Sequence, residues 1–309
     1  MITSILGFLL LLLLATATVV ALHCLLCARE VRNPPRCSTG WAIARSRPTD
    51  PEAIDPDHRQ WHLEPGDGSC LPVWEATTGG TVEASSPVVV VIHGWGHSHT
   101  HSIELVEAVI EAARDHGGLP PSRLVFPDLR GHGDASPGPT TLGERELGDL
   151  EAIIETYASP APVFLVGHSL GAVLAIRIAV RQPDRVRGVL ALAPYRRVTT
   201  PVAATLSARG LPGGRLAGPV ARLSTSPAVL ATDTAAEAGR MTQPLEVLVG
   251  SEDRICPPTD ARAIADRART SRLEVVAGPG HGELHREAGP ALAAALARLL
   301  RDSTGPDRD

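Results

Sequence analysis

The sequence predicts an α/β fold with a mostly parallel central sheet and helices on both faces. Three observations support this prediction. Short apolar runs alternate along the chain with longer stretches in which apolar residues recur at helical spacing. The run Val88–Ile92 contains only valine and isoleucine, which is typical of a strand buried on both faces of a parallel sheet. The 309 residues, 43% of them hydrophobic, are enough for one sizeable domain with additions.

The N-terminal segment predicts a transmembrane anchor. No charged residue occurs between Ile2 and Ala28, and residues 5–22 are almost all apolar. A helix rises about 1.5 Å per residue, so this stretch is long enough for a hydrocarbon core about 30 Å thick. A signal peptide cleaved near residues 15–17 is the alternative, although the segment has no basic residue before its apolar run. We therefore interpret residues 1–28 as an anchor.

Residues 29–58 are rich in arginine and proline and are interpreted as a linker. Within residues 29–50, directly after the apolar run, basic residues outnumber acidic ones, with Arg29, Arg32, Arg36, Arg45 and Arg47 against Glu30 and Asp50. Positively charged flanks of a membrane helix stay on the cytoplasmic side. The sequence therefore predicts a single-pass protein with a cytoplasmic catalytic domain, and cleavage of a signal peptide would instead predict secretion.

The predicted domain covers residues 59–301 and begins with two short strands around a glycine-rich turn at residues 66–68. The predicted strands are Arg59–Leu63, 71–76, Val88–Ile92, 124–126, 163–166, Val186–Leu192, Leu245–Gly250 and 273–276. Predicted helices lie between them, on apolar stripes that begin at Ile103 and Leu147, over residues 170–180, and from Leu292 onwards.

Residues 196–244 interrupt this alternation with glycines, a proline and short helical stretches. We expect them to form a small helical lid over the carboxyl ends of the strands. The tail from residue 302 to 309 is polar and is expected to fray.

The sequence Gly167-His168-Ser169-Leu170-Gly171 lies between a predicted strand and a predicted helix. Its glycines stand two residues before and two residues after Ser169, where a sharp turn leaves no room for side chains. Such a turn holds the serine at a helix N-terminus, which favours developing negative charge. Ser169 is therefore the predicted nucleophile.

A nucleophilic serine needs a base to take its proton and an acid to orient that base. Asp253 lies just after a predicted strand, with Glu252 beside it as the alternative acid. His281 lies between glycines in the loop after the last predicted strand, and His285 is the alternative base.

Five motifs in this order resemble those of the α/β-hydrolase superfamily. They are His93-Gly94-Trp95-Gly96, Asp128-Leu129-Arg130-Gly131-His132-Gly133, the elbow around Ser169, Gly250-Ser251-Glu252-Asp253 and Gly280-His281.

The resemblance implies the α/β-hydrolase fold, with Asp253 as the acid and His281 as the base. It also implies an oxyanion hole made of the backbone N–H groups of Leu170 and Trp95, with Gly94 as the alternative to Trp95. It implies no cofactor.

Three histidines at alternate positions, His97, His99 and His101, form a pattern that is also found in metal sites. No carboxylate or cysteine stands beside them in the sequence, so we do not predict a metal ion there. The resemblance implies that His132 and Asp134 belong to a structural turn. We expect His168 to pack or form hydrogen bonds locally.

Composition narrows the class of function. The net charge of −5 and a pI near 6.2 indicate no basic surface for nucleic acid. We predict a serine hydrolase whose substrates are small acyl esters, including lipophilic or monoacylglycerol-type esters. The alternatives are an acyltransferase or peptidase of the same fold, and an inactive membrane-tethered binding protein.

Overall fold

The computed structural model describes residues 2–114, 118–157 and 161–302, without the side chains of residues 2–4, 285 and 302. Its strands are β1 (Arg59–Leu63), β2 (Leu71–Thr77), β3 (Val88–Ile92), β4 (Arg123–Pro127), β5 (Val163–His168), β6 (Val186–Leu192), β7 (Leu245–Gly250) and β8 (Ser271–Val276). They form one sheet in the order β1-β2-β4-β3-β5-β6-β7-β8.

The helices before the elbow are α1 (Ile2–Arg32), α2 (Thr39–Ile43), α3 (His99–Ala113) and α4 (Arg145–Glu155). The helices after it are α5 (Leu170–Arg181), α6 (Thr199–Ala208), α7 (Gly213–Ser224), α8 (Pro227–Ala231), α9 (Thr234–Ala238), α10 (Pro258–Ala265), α11 (Leu284–Glu287) and α12 (Gly289–Asp302).

The sheet is parallel from β4 through β8, while β1 and β2 are antiparallel additions at one edge. All side chains of β3 and β7 are buried, as expected for strands covered on both faces. The parallel strands end at the same edge, so the loops that follow β3, β5, β7 and β8 lie close together. The predicted α/β fold with a mostly parallel sheet is confirmed.

Helices α6 to α9 all lie between β6 and β7, within the segment expected to form a lid. Helices α6 and α7 pack against each other, and α9 packs on α5 beside the sheet. The insertion is therefore a helical layer that begins where β6 ends.

Helix α1 has two parts that differ in their surroundings. The large apolar side chains from residue 5 to residue 22 are 45–67% exposed. Further along the helix, Cys24, Cys27 and Ala28 are buried against Val202 and Leu206 of α6 and Ala217 and Val220 of α7. Only the end of α1 therefore packs on the body of the protein. In length and composition α1 is sufficient to cross a membrane, as is also true of a signal sequence.

The segment interpreted as a linker, residues 29–58, packs against the domain. Helix α1 continues as far as Arg32, whose carbonyl accepts a hydrogen bond from the Thr140 N–H at 2.9 Å. The guanidinium of Arg36 donates to the carbonyls of Gly133, at 3.0 Å, and Ala135. These partners lie about a hundred positions away in the sequence, and they fix the segment on the domain surface.

Candidate active site

The turn between β5 and α5 holds Ser169 in a strained conformation. Its φ of 55° and ψ of −111° lie where residues other than glycine are uncommon. A Cβ atom on Gly167 would lie 2.2 Å from the Gly171 carbonyl oxygen, and one on Gly171 would lie 2.1 Å from that of Ile92. Glycine is therefore required at both positions, and the turn brings Ser169 to the carboxyl edge of the sheet.

Ser169, His281 and Asp253 form a continuous series of hydrogen bonds. Ser169 Oγ lies 3.1 Å from His281 Nε2, and His281 Nδ1 lies 2.7 Å from Asp253 Oδ2. Nδ1 carries the ring proton and donates a hydrogen bond to the carboxylate. Nε2 is therefore free to accept the hydrogen bond from the serine hydroxyl. The alternative base, His285, lies in α11, and its side chain is outside the part that the structure describes.

The Asp253 carboxylate is buried and held by its own turn. Oδ1 accepts hydrogen bonds from the backbone N–H groups of Ile255, at 2.9 Å, and Cys256, at 2.7 Å. Only 3% of Asp253 is exposed, whereas Glu252 is exposed to solvent. The structure therefore brings Asp253, and not Glu252, to His281.

The loop after β3 lies directly over the elbow. A Cβ atom on Gly94 would lie 3.3 Å from the Cβ atom of Ser169. His93 Nδ1 donates to the Gly94 carbonyl at 2.8 Å, and His93 Nε2 accepts from the Leu129 N–H at 3.0 Å. Burial lowers the pKa of His93 well below 6.5, so its ring stays neutral and keeps this tautomer.

Two backbone N–H groups belong to the elbow and to the loop over it. Among the described residues, neither the Trp95 N–H nor the Leu170 N–H has a hydrogen-bond acceptor in the protein. Trp95 follows Gly94 in the loop over the elbow, and Leu170 begins α5 directly after Ser169. An oxyanion hole needs such unpaired donors beside the nucleophile.

Cys256 also lies in this site, although no pattern in the sequence indicated it. Its sulfur lies 3.8 Å from Ser169 Oγ, and the residue is fully buried. Burial and the nearby Asp253 raise the pKa of the Cys256 thiol well above its ordinary value, so the thiol stays protonated. In the sequence, its position three residues after Asp253 could have indicated that it lies in the site.

A row of aromatic rings leads from the surface to the site. Trp41 stacks on His101, His101 on His97, and His97 on His168, with ring centroids 4.1–5.4 Å apart. His168 Nε2 also donates to the His281 carbonyl at 3.2 Å, which is the local hydrogen bonding expected for this residue. Because His97 and His101 meet face to face, their nitrogens do not converge on a common point.

His99 belongs to a different cluster, with Asp128 and Asp134, whose ligand atoms lie close enough to surround a cation. His99 Nδ1 lies 3.0 Å from Asp128 Oδ1, and Nε2 lies 3.1 Å from the Thr49 carbonyl. Each ring nitrogen of His99 therefore already has a hydrogen-bond partner within the protein. The Asp134 carboxylate accepts hydrogen bonds from Thr39. This cluster is a hydrogen-bonded turn.

Comparison with known proteins identifies the family. A family model described as the alpha/beta hydrolase family matches residues 89–295. A pimeloyl-[acyl-carrier protein] methyl ester esterase from Neisseria meningitidis is 27% identical over 248 residues, which cover 66% of this chain and 74% of that protein.

Other matches are shorter or more distant. An sn-1-specific diacylglycerol lipase from Mus musculus is 29% identical over 119 residues, 38% of this chain and 36% of the mouse protein. The aligned segment thus spans only about a third of that lipase. A solved esterase structure from Pyrococcus furiosus has a TM-score of 0.64 at 18% identity, covering 88% of this chain and 98% of that chain. This structural likeness supports the fold.

Proposed function

The chain belongs to the alpha/beta hydrolase family, and on that premise we propose that it is a serine hydrolase of carboxylic esters. The observation that carries the proposal is the series of hydrogen bonds from Ser169 Oγ through His281 to Asp253. Named esterases among the relatives support the choice of an ester substrate.

In the proposed mechanism Ser169 Oγ attacks the acyl carbon while His281 Nε2 takes the hydroxyl proton. Asp253 holds the imidazole in the required tautomer and stabilises its positive charge. The backbone N–H groups of Leu170 and Trp95 donate to the oxyanion that develops on the carbonyl oxygen. His281 then gives its proton to the leaving alcohol, and water releases the acyl group by the reverse sequence.

We propose further that the preferred substrates are lipophilic esters. The exposed apolar part of α1 is suited to a bilayer, and its end packs on α6 and α7 of the lid. This contact would keep the lid close to a lipid surface, where an acyl chain needs an apolar path to the serine. Each methylene removed from water contributes about 0.8 kcal/mol.

A panel of p-nitrophenyl and glyceryl esters with two to twelve acyl carbons tests substrate choice on the full chain in detergent. We expect kcat/KM to rise with chain length, by up to roughly fourfold per methylene. Ser169→Ala is the matched inactive control. A steady fall from two to eight carbons would leave a hydrolase of small esters, and no turnover of any ester would overturn the proposed function.

We propose that residues 1–28 anchor the protein in a membrane, with residues 59–301 as a cytoplasmic catalytic domain that has its lid at 196–244. The protein should then sediment with membranes in alkaline carbonate, and protease added outside intact cells should spare the domain. A mature protein in the medium that starts near residue 18 would instead identify a cleaved signal sequence.

A further inference from the structure

We propose that residues 31–37 position the oxyanion loop, defined as residues 93–97, so that the end of the apolar helix completes the active site. The proposal rests on the proposed function, which gives the Trp95 N–H its role as an oxyanion donor. Three contacts join these two segments, and each of them involves Trp95 or its neighbour Gly96.

The first contact joins the indole of Trp95 to the last turn of α1. Trp95 Nε1 donates to the Val31 carbonyl at 2.8 Å. The last carbonyls of a helix have no partner within the helix, so they need donors from elsewhere. The next carbonyl, that of Arg32, is satisfied by the Thr140 N–H at 2.9 Å. Two donors of the catalytic domain therefore cap the end of α1, and one of them is the Trp95 side chain.

The second contact joins Cys37 to the peptide that follows Trp95. The sulfur of Cys37 lies 3.0 Å from the Gly96 carbonyl oxygen, and only 7% of the residue is exposed. Burial raises the pKa of the Cys37 thiol, so the sulfur keeps the proton that it donates.

The third contact is steric and lies at Gly96. This glycine has a φ of +75°, which side chains disfavour, and a Cβ atom there would lie 3.3 Å from Cγ of Pro35. The Pro35 ring thus covers the turn of the loop. Between the contacts, the Arg36 guanidinium donates to the Gly133 carbonyl at 3.0 Å, which fixes the segment itself to the domain.

The oxyanion loop is therefore held from two sides. On the inner side the Leu129 N–H donates to His93 Nε2 at 3.0 Å, while on the outer side residues 31–37 hold the Trp95 side chain and the Gly96 carbonyl. The Trp95 peptide lies between these attachments. Donors that are already in place need no reorganisation as charge develops, and a misplacement of about 1 Å can cost about 100-fold in rate.

The test uses the full chain in detergent, with two kinds of change to the outer attachment. Trp95→Phe removes the indole donor, and Trp61→Phe on the edge strand β1 is its control. Cys37→Ala removes the thiol donor, Cys37→Ser restores a donor, and Cys70→Ala is the control. For each variant we would measure kcat, KM and hydrogen exchange of the backbone amides of residues 93–97.

We expect Trp95→Phe to lower kcat by about 10- to 100-fold while KM changes by less than about threefold, because a displaced oxyanion donor weakens only the transition state. Cys37→Ala should lower kcat by a smaller factor, and Cys37→Ser should recover most of it. Amide exchange of the loop should accelerate in Trp95→Phe and Cys37→Ala, whereas both controls should match the wild type.

Wild-type kcat and wild-type loop exchange in Trp95→Phe and Cys37→Ala would overturn the proposal. So would a loss of kcat in Trp95→Phe without faster loop exchange, since the indole would then act as a wall of the pocket. If Trp95→Phe does not fold, the same comparison of kcat and loop exchange among Cys37→Ala, Cys37→Ser and Cys70→Ala tests the proposal. If the wild type hydrolyses no ester but its loop loosens in the variants, the proposed function fails and the attachment stands.

Discussion

Burial separates the two neighbouring carboxylates that the sequence left as rivals. Asp253 accepts two backbone hydrogen bonds and one from His281, whereas Glu252 is exposed and its backbone N–H donates to the Pro279 carbonyl. A buried carboxylate with such partners is fixed in place and can hold an imidazole in one orientation.

Asp253→Asn should lower kcat by about 10³- to 10⁴-fold, because the amide favours the wrong tautomer of His281. Glu252→Gln is the matched control and should stay within about twofold of the wild type. Steady-state kinetics on the preferred ester measures both variants. A large loss of kcat in Glu252→Gln with a small loss in Asp253→Asn would make Glu252 the acid.

His132 is a buried histidine whose neutral form the fold favours. Its Nδ1 donates to the Arg130 carbonyl at 2.8 Å, and among the described residues its Nε2 has no partner. Burial lowers the pKa of His132 below the ordinary 6.5. Below about pH 6.5 the unfolded chain therefore binds a proton that the folded chain refuses, so the free energy of unfolding falls as the pH falls.

His132→Asn keeps a donor for the Arg130 carbonyl and removes the titrating ring. The wild type should lose Tm between pH 7.5 and pH 5.5, and the variant should lose less. The free energy of unfolding of the wild type should fall more steeply with pH than that of the variant. The difference in slope should approach that of one proton, about 1.4 kcal/mol per pH unit. Thermal melts at the two pH values measure it, and parallel loss in both proteins would show that His132 does not carry the effect.

At the residue scale, the sequence indicated those functional groups that have a recognisable pattern of neighbouring residues. Ser169 lies between glycines, and Asp253 and His281 each follow a predicted strand. Cys256 and Val31 have no such pattern. The contact of Cys256 depends on the turn after Asp253, and that of Val31 depends on a tryptophan 64 positions away.

The elbow has a strict steric requirement at its glycines. Gly171 packs against the end of β3, where a Cβ atom would lie 2.1 Å from the Ile92 carbonyl oxygen. Gly148 in α4 is exposed and has nothing within 4 Å of its Cβ position. The same substitution at these two helical glycines should therefore have opposite effects.

Gly171→Ala should destabilise the protein by about 3 kcal/mol or more and abolish ester turnover, because backbone atoms cannot move aside. Gly148→Ala should raise stability by about 0.5–1 kcal/mol and keep full activity. Thermal melts and initial rates on both variants test this, and a stable, active Gly171→Ala protein would show that the elbow is built differently.

At the element scale, the central strands were predictable because their short apolar runs are rich in β-branched residues and lie between turn signals. Helix α10 was not predicted, since prolines at 257 and 258 look like a helix breaker, yet Pro258 opens the helix where no N–H is needed. The packing of residues 29–58 was also missed, because arginine and proline are typical of linkers and the partners of Arg36 are distant in sequence.

At the scale of the whole molecule, α1 joins an exposed apolar segment to the helices that follow β6. Most of its apolar side chains are exposed, whereas Cys24, Cys27 and Ala28 pack against α6 and α7. Deletion of residues 2–22 should therefore release the protein from membranes and keep kcat within about twofold. Deletion of residues 2–37 should lower kcat at least about tenfold, through loss of the contacts to the oxyanion loop. Equal kcat in both truncated proteins would show that residues 23–37 do not contribute to catalysis.

Covalent labelling by a fluorophosphonate would show whether Ser169 is the nucleophile. Mass spectrometry of the labelled peptides should find a single phosphonyl adduct, on Ser169 Oγ. The adduct should be absent from Ser169→Ala and should form far more slowly in His281→Ala, which lacks the base. An unlabelled wild type, or equal labelling of Ser169→Ala at another residue, would show that Ser169 is not the nucleophile.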